Sequence, residues 1–373
     1  MLGARGAGKS SLLASIYSQF SKVAEGTGLT MEATGETTAR FKKRLEEMQR
    51  TLQGRRGNGA RNTGGMAGDT TETVYNISLK LNEPGVNGNS ANLSKEIKLN
   101  FFDYPGEWIE TGSSEREQVI AKIKSSHVVL LAIDTPALMH KDEYGDYTQN
   151  HNIVNKTFDL GELLKQLTSE LLDDKKLFLF TPVKCEKWVQ HERDIKRLRD
   201  LIQDGYVSVL SQLKESNAAI AITPVQTLGN LHFAYREETD DGELVYRFKA
   251  FNPDSSGFAP YNPKHIEQPL LYLLYFIFDE ALSSFEKKSQ AIQSAIDSKV
   301  DAYESLPWLI KIIGSFTGTS DEYKNSIRKE KEKLDEVIKI LEALRIPLEK
   351  LDDKRIKDEE KGFFVLQDKS GRL

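Results

Sequence analysis

The chain has 373 residues, enough for two or three domains, and its 39% hydrophobic and 29% charged content excludes the disordered and fibrous classes. A formal charge of −5 speaks against nucleic acid as a partner of the whole surface. The single cysteine, Cys185, excludes an intrachain disulfide, no apolar run reaches the ~18 residues of a membrane-spanning helix, and no signal-peptide pattern opens the sequence, so a cytoplasmic location is expected.

The first informative stretch is Gly3-Ala4-Arg5-Gly6-Ala7-Gly8-Lys9-Ser10, which fits G-x-x-x-x-G-K-[ST]. Glycines at these places let the backbone aim several N–H groups at one point, and the helix begun by Ser11-Leu12-Leu13 adds its positive end, so the stretch reads as a cradle for a polyphosphate. The candidate phosphate contacts are Gly3, Arg5, Gly6, Ala7, Gly8, Lys9, Ser10 and Ser11. Lys9 supplies a point charge, and the Ser10 hydroxyl suits the Mg²⁺ that accompanies a nucleoside triphosphate. Only Met1 and Leu2 precede the loop, where a buried strand of about five apolar residues is the norm, so the sequence is expected to open inside its first strand.

Ala39 to Leu52 carries Phe41, Leu45, Met48 and Leu52 on one helical stripe. Gly54 to Gly68 is too glycine-rich for regular structure, and reads as a surface loop or as a switch loop that orders over a triphosphate. Thr70, Thr71 and Thr73 stand at its end; Thr71 is the favoured further Mg²⁺ ligand, with Thr70 next. Val74 to Leu81 alternates in the manner of a half-exposed strand, Pro84 to Asn92 is a turn, and Ile97 to Phe102 returns as the second arm of a hairpin.

That arm runs into Asp103-Tyr104-Pro105-Gly106-Glu107-Trp108. An Asp at the end of a buried strand reaches Mg²⁺ through water, and a Gly three residues on turns its N–H toward a γ-phosphate. His127 to Asp134, Leu177 to Phe180 and Ala218 to Ile222 are apolar runs of the kind that fill a parallel sheet covered on both faces, with helices expected around Leu160 to Leu172 and Arg193 to Leu213. The strand at Leu177 leads into Thr181-Pro182-Val183-Lys184-Cys185-Glu186. Read without any family, Lys184 and Glu186 decorate a loop, and Trp188 is expected in the core rather than stacked on a base.

Taken together, the phosphate loop, the Thr-bearing loop, the hairpin, Asp103-Tyr104-Pro105-Gly106-Glu107 and Lys184-x-Glu186 resemble the translation-factor-related class of P-loop GTPases. The Asp103 to Trp108 string is most similar to bacterial YcjX-like GTPases, and dynamin-related proteins are a more distant comparison. The resemblance spans roughly Gly3 to Val225 and implies an α/β, Ras-like sheet flanked by helices, with GTP as substrate and Mg²⁺ as cofactor. It further implies that Lys184 lies along the guanine face and that Glu186 accepts from guanine N1 and N2. Val183 and Glu186 depart from the usual Asn or Thr and Asp, which bears on guanine selectivity and leaves triphosphate binding untouched.

Asp240 to Phe251 reads as a polar hairpin or an inserted loop. From Pro263 the texture is helical: Ile266, Leu270, Leu273, Leu274 and Ile277 close the nucleotide domain, and Phe285, Ile292, Ile296 and Val300 continue the stripe. Ile327, Leu334, Leu341 and Leu348, with Val337, Leu344 and Leu351, form an a/d seam that Pro347 is expected to kink or end. The organisation expected is a P-loop domain over 1–280 and a helical hairpin or coiled-coil extension over 281–373, whose seam forms its own core. Self-association or a protein partner is expected through these helices. The apolar segment Leu306 to Phe316 at the turn is either tucked onto the core or a tip for a membrane or partner.

The functional expectation is a Mg²⁺-dependent GTPase whose switch loops signal to the C-terminal helices; the alternatives are a nucleotide-dependent scaffold with little hydrolysis, and a P-loop ATPase. Glu107 stands where many such enzymes carry Gln, and its carboxylate needs an offsetting cation. Arg5 is the catalytic candidate for that task, with Arg55, Arg56 and Arg61 as rival donors.

Overall fold

The computed structural model describes residues 1–25, 27–52, 60–61, 71–81, 96–141, 148–167, 175–238, 244–250, 259–304, 319–368 and 373. Outside the described residues lie all of Gly54 to Gly68 except Ala60 and Arg61, together with Thr70, the turn Pro84 to Asn92 and the apolar segment Leu306 to Phe316.

In chain order the elements are α1 (Lys9–Ala24), β1 (Leu29–Ala33), α2 (Gly35–Leu52), β2 (Ala60–Arg61), β3 (Thr73–Leu81), β4 (Glu96–Asp103), α3 (Arg116–Ser125), β5 (Val128–Asp134), α4 (Thr135–Met139), α5 (Thr148–Asn155) and α6 (Thr157–Lys165). They continue with β6 (Leu177–Val183), α7 (Glu192–Gly205), α8 (Val207–Glu215), β7 (Ala219–Ile222), β8 (Leu231–Glu238), β9 (Leu244–Ala250), α9 (Gln268–Glu304), α10 (Thr319–Lys354) and β10 (Phe364–Gln367).

Strands β5, β6 and β7 are parallel neighbours, with β10 antiparallel on the edge of β7. Strands β1, β3 and β4 form a second, antiparallel group. Met1 and Leu2 join the two: the Met1 ammonium donates to Phe102 O on β4, and Leu2 pairs in parallel with Leu131 on β5. The phosphate loop therefore leaves the sheet from its middle, between β4 and β5, where an open-sheet protein places its ligand.

The apolar runs fill this sheet because period-two alternation gives each face its own core. Leu130, Leu179 and Ala221 point into a cluster with α1, α9 and α10, while Leu131, Phe180 and Ile222 point into another with α3, α6, α7 and α8. A separate small sheet, β2-β9-β8, packs Phe248 and Leu231 near Ala137 of α4.

Several expectations change. The expected helix from Arg193 to Leu213 is two helices, because the chain breaks after Gly205 to turn Tyr206 inward, edge-on to Phe180 and His151. Pro347 does not end α10, which continues to Lys354. Leu344 and Leu351 are buried and Leu348 packs beside them, so apolar contact holds the helix through the missing backbone bond. Nor does the seam form its own core: Val337, Leu344 and Leu351 lie in the cluster that contains Leu12 and Leu13 of α1. The chain end also returns to the nucleotide sheet through β10.

Candidate active site

The phosphate loop folds as its glycines require. Gly3, Gly6 and Gly8 all have positive φ, and Gly8, at φ 103°, is the residue that starts α1. The first backbone bond of that helix runs from Leu12 N to Gly8 O, leaving the preceding amides at its N-terminus to face the loop. Lys9 crosses beneath, its Nζ donating to Gly3 O at 2.8 Å and Ala4 O at 3.1 Å. Burial pushes the Lys9 ammonium below the ordinary lysine range, with Asp103 opposing the shift and Glu107 adding to that opposition. The loop thus holds a partly desolvated cation where a polyphosphate would sit.

From β4, Asp103 reaches the start of α1: Ser10 Oγ donates to Asp103 Oδ2 at 2.6 Å. Asp103 Oδ1 is buried with no hydrogen-bond partner among the described residues. The next turn brings Gly106 so close to the phosphate loop that a Cβ there would lie 2.0 Å from Arg5 N and 2.4 Å from Ala4 C. Both are backbone atoms, so only glycine fits. Beside it, Arg5 Nη1 pairs with Glu107 Oε1 at 3.1 Å, both side chains substantially exposed.

The third part comes from the ends of β5, β6 and β7. Lys184, at φ 61°, sends Nζ to Gly6 O of the phosphate loop at 3.0 Å and to Asp134 Oδ2 at 2.6 Å. Its own amide donates to Thr227 Oγ1 at 3.1 Å. Glu186 is buried under the loop after β7, where its Oε1 accepts from Leu228 N at 2.8 Å and Gly229 N at 3.3 Å. Its Oε2 is buried and without a partner among the described residues. Burial raises the Glu186 carboxyl above the ordinary range, and the Leu228 amide is the foremost group opposing that shift.

The family description Double-GTPase 2 matches residues 1–219, more than half of the chain and all three parts of this site up to Glu186. The chain belongs to the Double-GTPase 2 family. It is therefore a P-loop GTPase, and its mixed α/β sheet with flanking helices and a helical C-terminal region is the fold expected of one. No curated protein and no solved structure matches it. Among the described residues no helix is long and apolar enough to cross a membrane.

In this Double-GTPase 2 protein the structure gathers most of the sequence candidates. Lys9, Ser10, Asp103, Gly106 and Lys184 all border the phosphate loop, and Arg5 and Glu107 meet directly. Thr71 is exposed just before β3, two residues from the Thr73 that pairs with Asp103. Trp188 is buried in the core, as expected. Asp134 and the loop Thr227-Leu228-Gly229 were not legible as site residues. Asp134 had a signal, since it ends an apolar strand just as Asp103 does.

No group of three or more His, Cys, Asp and Glu side chains converges among the described residues. The donor set nevertheless fits Mg²⁺, a hard cation that takes few protein ligands and keeps phosphate oxygens and water. Ser10 Oγ and the unpartnered, buried Asp103 Oδ1 are the groups such an ion needs.

Proposed function

We propose that this GTPase is a Mg²⁺-dependent switch. Lys9 and the amides of Gly6 to Ser11 bind the phosphates, Ser10 and Asp103 with Thr71 hold Mg²⁺, and the Gly106 amide meets the γ-phosphate. Bound Mg²⁺ would neutralise charge developing on the β–γ bridge. Arg5 supplies a second cation there once released from Glu107, and Glu107 accepts from the attacking water. Lys184 lies along the base, and Glu186 offers Oε2 to its N–H edge. The Asp103-Tyr104-Pro105-Gly106-Glu107 string supports a place for the chain near YcjX-like proteins within the translation-factor-related class.

Signalling to the C-terminal helices, through which the chain would self-associate or meet a protein partner, is the second half of the proposal. It is supported by the end of α10: Lys354 Nζ donates to Lys22 O, Val23 O and Glu25 O at the C-terminus of α1, the helix that begins in the phosphate loop. A lysine there also complements the negative end of that helix.

The observation that carries the reading is the Ser10–Asp103 contact beneath the Gly106 turn. Multiple-turnover phosphate release from GTP, with Mg²⁺ and with EDTA, tests it on the wild type and Asp103→Asn. Release should vanish in EDTA, and the variant should need more Mg²⁺ to reach half-maximal rate. Equal Mg²⁺ titrations for both proteins would refute the metal role.

A further inference from the structure

The ion pair between Lys184 and Asp134 is enclosed, with side chains 14% and 3% exposed, and nothing in nucleotide chemistry by itself asks for Asp134. We propose that Asp134 is a positioning residue that sets where the Lys184 side chain lies, and through it how tightly the base is held. The inference rests on the reading of Lys184 and Glu186 as base-binding residues.

Asp134 is itself fixed on every side. Its Oδ1 accepts from Ala137 N at 3.0 Å, capping α4, which leaves Oδ2 for Lys184. Its main chain is clamped by one side chain from α5: Asp134 N donates to Asn155 Oδ1 at 2.7 Å, and Asn155 Nδ2 donates to Asp134 O at 3.2 Å. A carboxylate held in this way is a rigid anchor, whereas a lysine has a flexible four-carbon stem and three donors that can turn many ways.

The Lys184 ammonium thereby has two fixed acceptors, Asp134 Oδ2 and Gly6 O. Between them its stem lies along the phosphate loop: a Cβ added at Gly8 would sit 3.9 Å from Lys184 Cε. That arrangement turns the stem into an apolar rail beside the phosphates, and the ring of a base can lie on it. Without the Asp134 charge the ammonium loses the rigid carboxylate that fixes its end, and the rail is held less firmly in place. Because Asp134 acts through Lys184, the effect falls on nucleotide binding rather than on the cleaved bond.

Equilibrium binding of GDP and GTP, with steady-state hydrolysis, is measured for wild type, Asp134→Asn, Asn155→Ala and Lys184→Ala. Asp134→Asn keeps the size of the side chain and loses the charge that holds Lys184. It should raise Kd for both nucleotides by about tenfold, the scale of one charged hydrogen bond. KM should rise alongside, while kcat at saturation falls by no more than about twofold. Combined with Lys184→Ala it should add nothing further, because both changes remove one interaction.

Lys184→Ala separates the two ideas: wild-type Kd in that variant refutes the base-binding reading itself. Raised Kd in Lys184→Ala with wild-type Kd in Asp134→Asn overturns the positioning role alone. So do additive losses in the double variant. If Asp134→Asn does not fold, Asn155→Ala decides in its place, with a raised Kd expected and an unchanged one contradicting the proposal.

Discussion

Arg5 and Glu107 meet across 3.1 Å at the mouth of the phosphate loop, one from the loop and the other from the turn after β4. With side chains 70% and 47% exposed, the pair adds at most about 1 kcal/mol to stability. Its position is therefore better explained by what Arg5 can reach next. An arriving triphosphate offers a stronger, bidentate-capable anion than a single exposed carboxylate.

Replacing Arg5 by Ala should consequently leave unfolding unchanged within about 0.5 kcal/mol and Kd for GTP within a few fold, while single-turnover cleavage at saturating GTP drops by about 10³. A wild-type cleavage rate would remove Arg5 from the chemistry.

The buried histidine behind the base loop gives a pH prediction. Asn155 Oδ1 is occupied by Asp134 N, so its Nδ2 faces His151 Nδ1 at 2.9 Å as donor, and the histidine proton belongs on Nε2. Burial lowers this imidazole from 6.5 to about 4. Above pH 6.5 both folded and unfolded forms are neutral and the group contributes nothing pH-dependent. Between about 6.5 and 4 the unfolded chain takes a proton that the folded one refuses, so stability falls as pH falls, by up to about 3 kcal/mol in total. Urea unfolding at pH 7.5 and 4.5 should show a larger acid loss in wild type than in His151→Gln. Parallel losses would contradict it.

What could be read from the sequence follows how local each signal is. The phosphate loop and Asp103 to Glu107 are contiguous, and β5 and β6 announce themselves as apolar runs because both faces of the sheet are covered. β1 leaves little trace in the sequence: it has five residues on the sheet edge, and the solvated Thr30 and Glu32 weaken its apolar pattern. β10 is equally faint, since a four-residue strand in a charged tail becomes a strand only by meeting β7. Asp134 carries only the signal of ending an apolar strand; its partner stands 50 residues on, and only the parallel pairing of β5 with β6 brings them together. Of the seam, Val337, Leu344, Leu348 and Leu351 pack in the core, and which core they join depends on where α10 docks.

That docking gives the third prediction. Leu351 is fully buried in the cluster shared with α1, and Lys354 three residues on grips the end of that helix. Leu351→Ala should cost about 2–5 kcal/mol, the usual range for a buried leucine. The loss should appear as one shifted transition in both circular dichroism and nucleotide release during denaturant unfolding. Two separate transitions, with nucleotide retained through the first, would show that the helices unfold on their own.

The central claim is that one continuous site, from the phosphate loop to Glu186, takes GTP. Equilibrium binding of fluorescently labelled GTP and ATP to one purified sample tests it most directly. GTP should bind at least about tenfold more tightly than ATP, because the buried Glu186 Oε2 can accept from the guanine N–H edge and finds no such donors on adenine. Equal affinities, or a preference for ATP, would contradict the account.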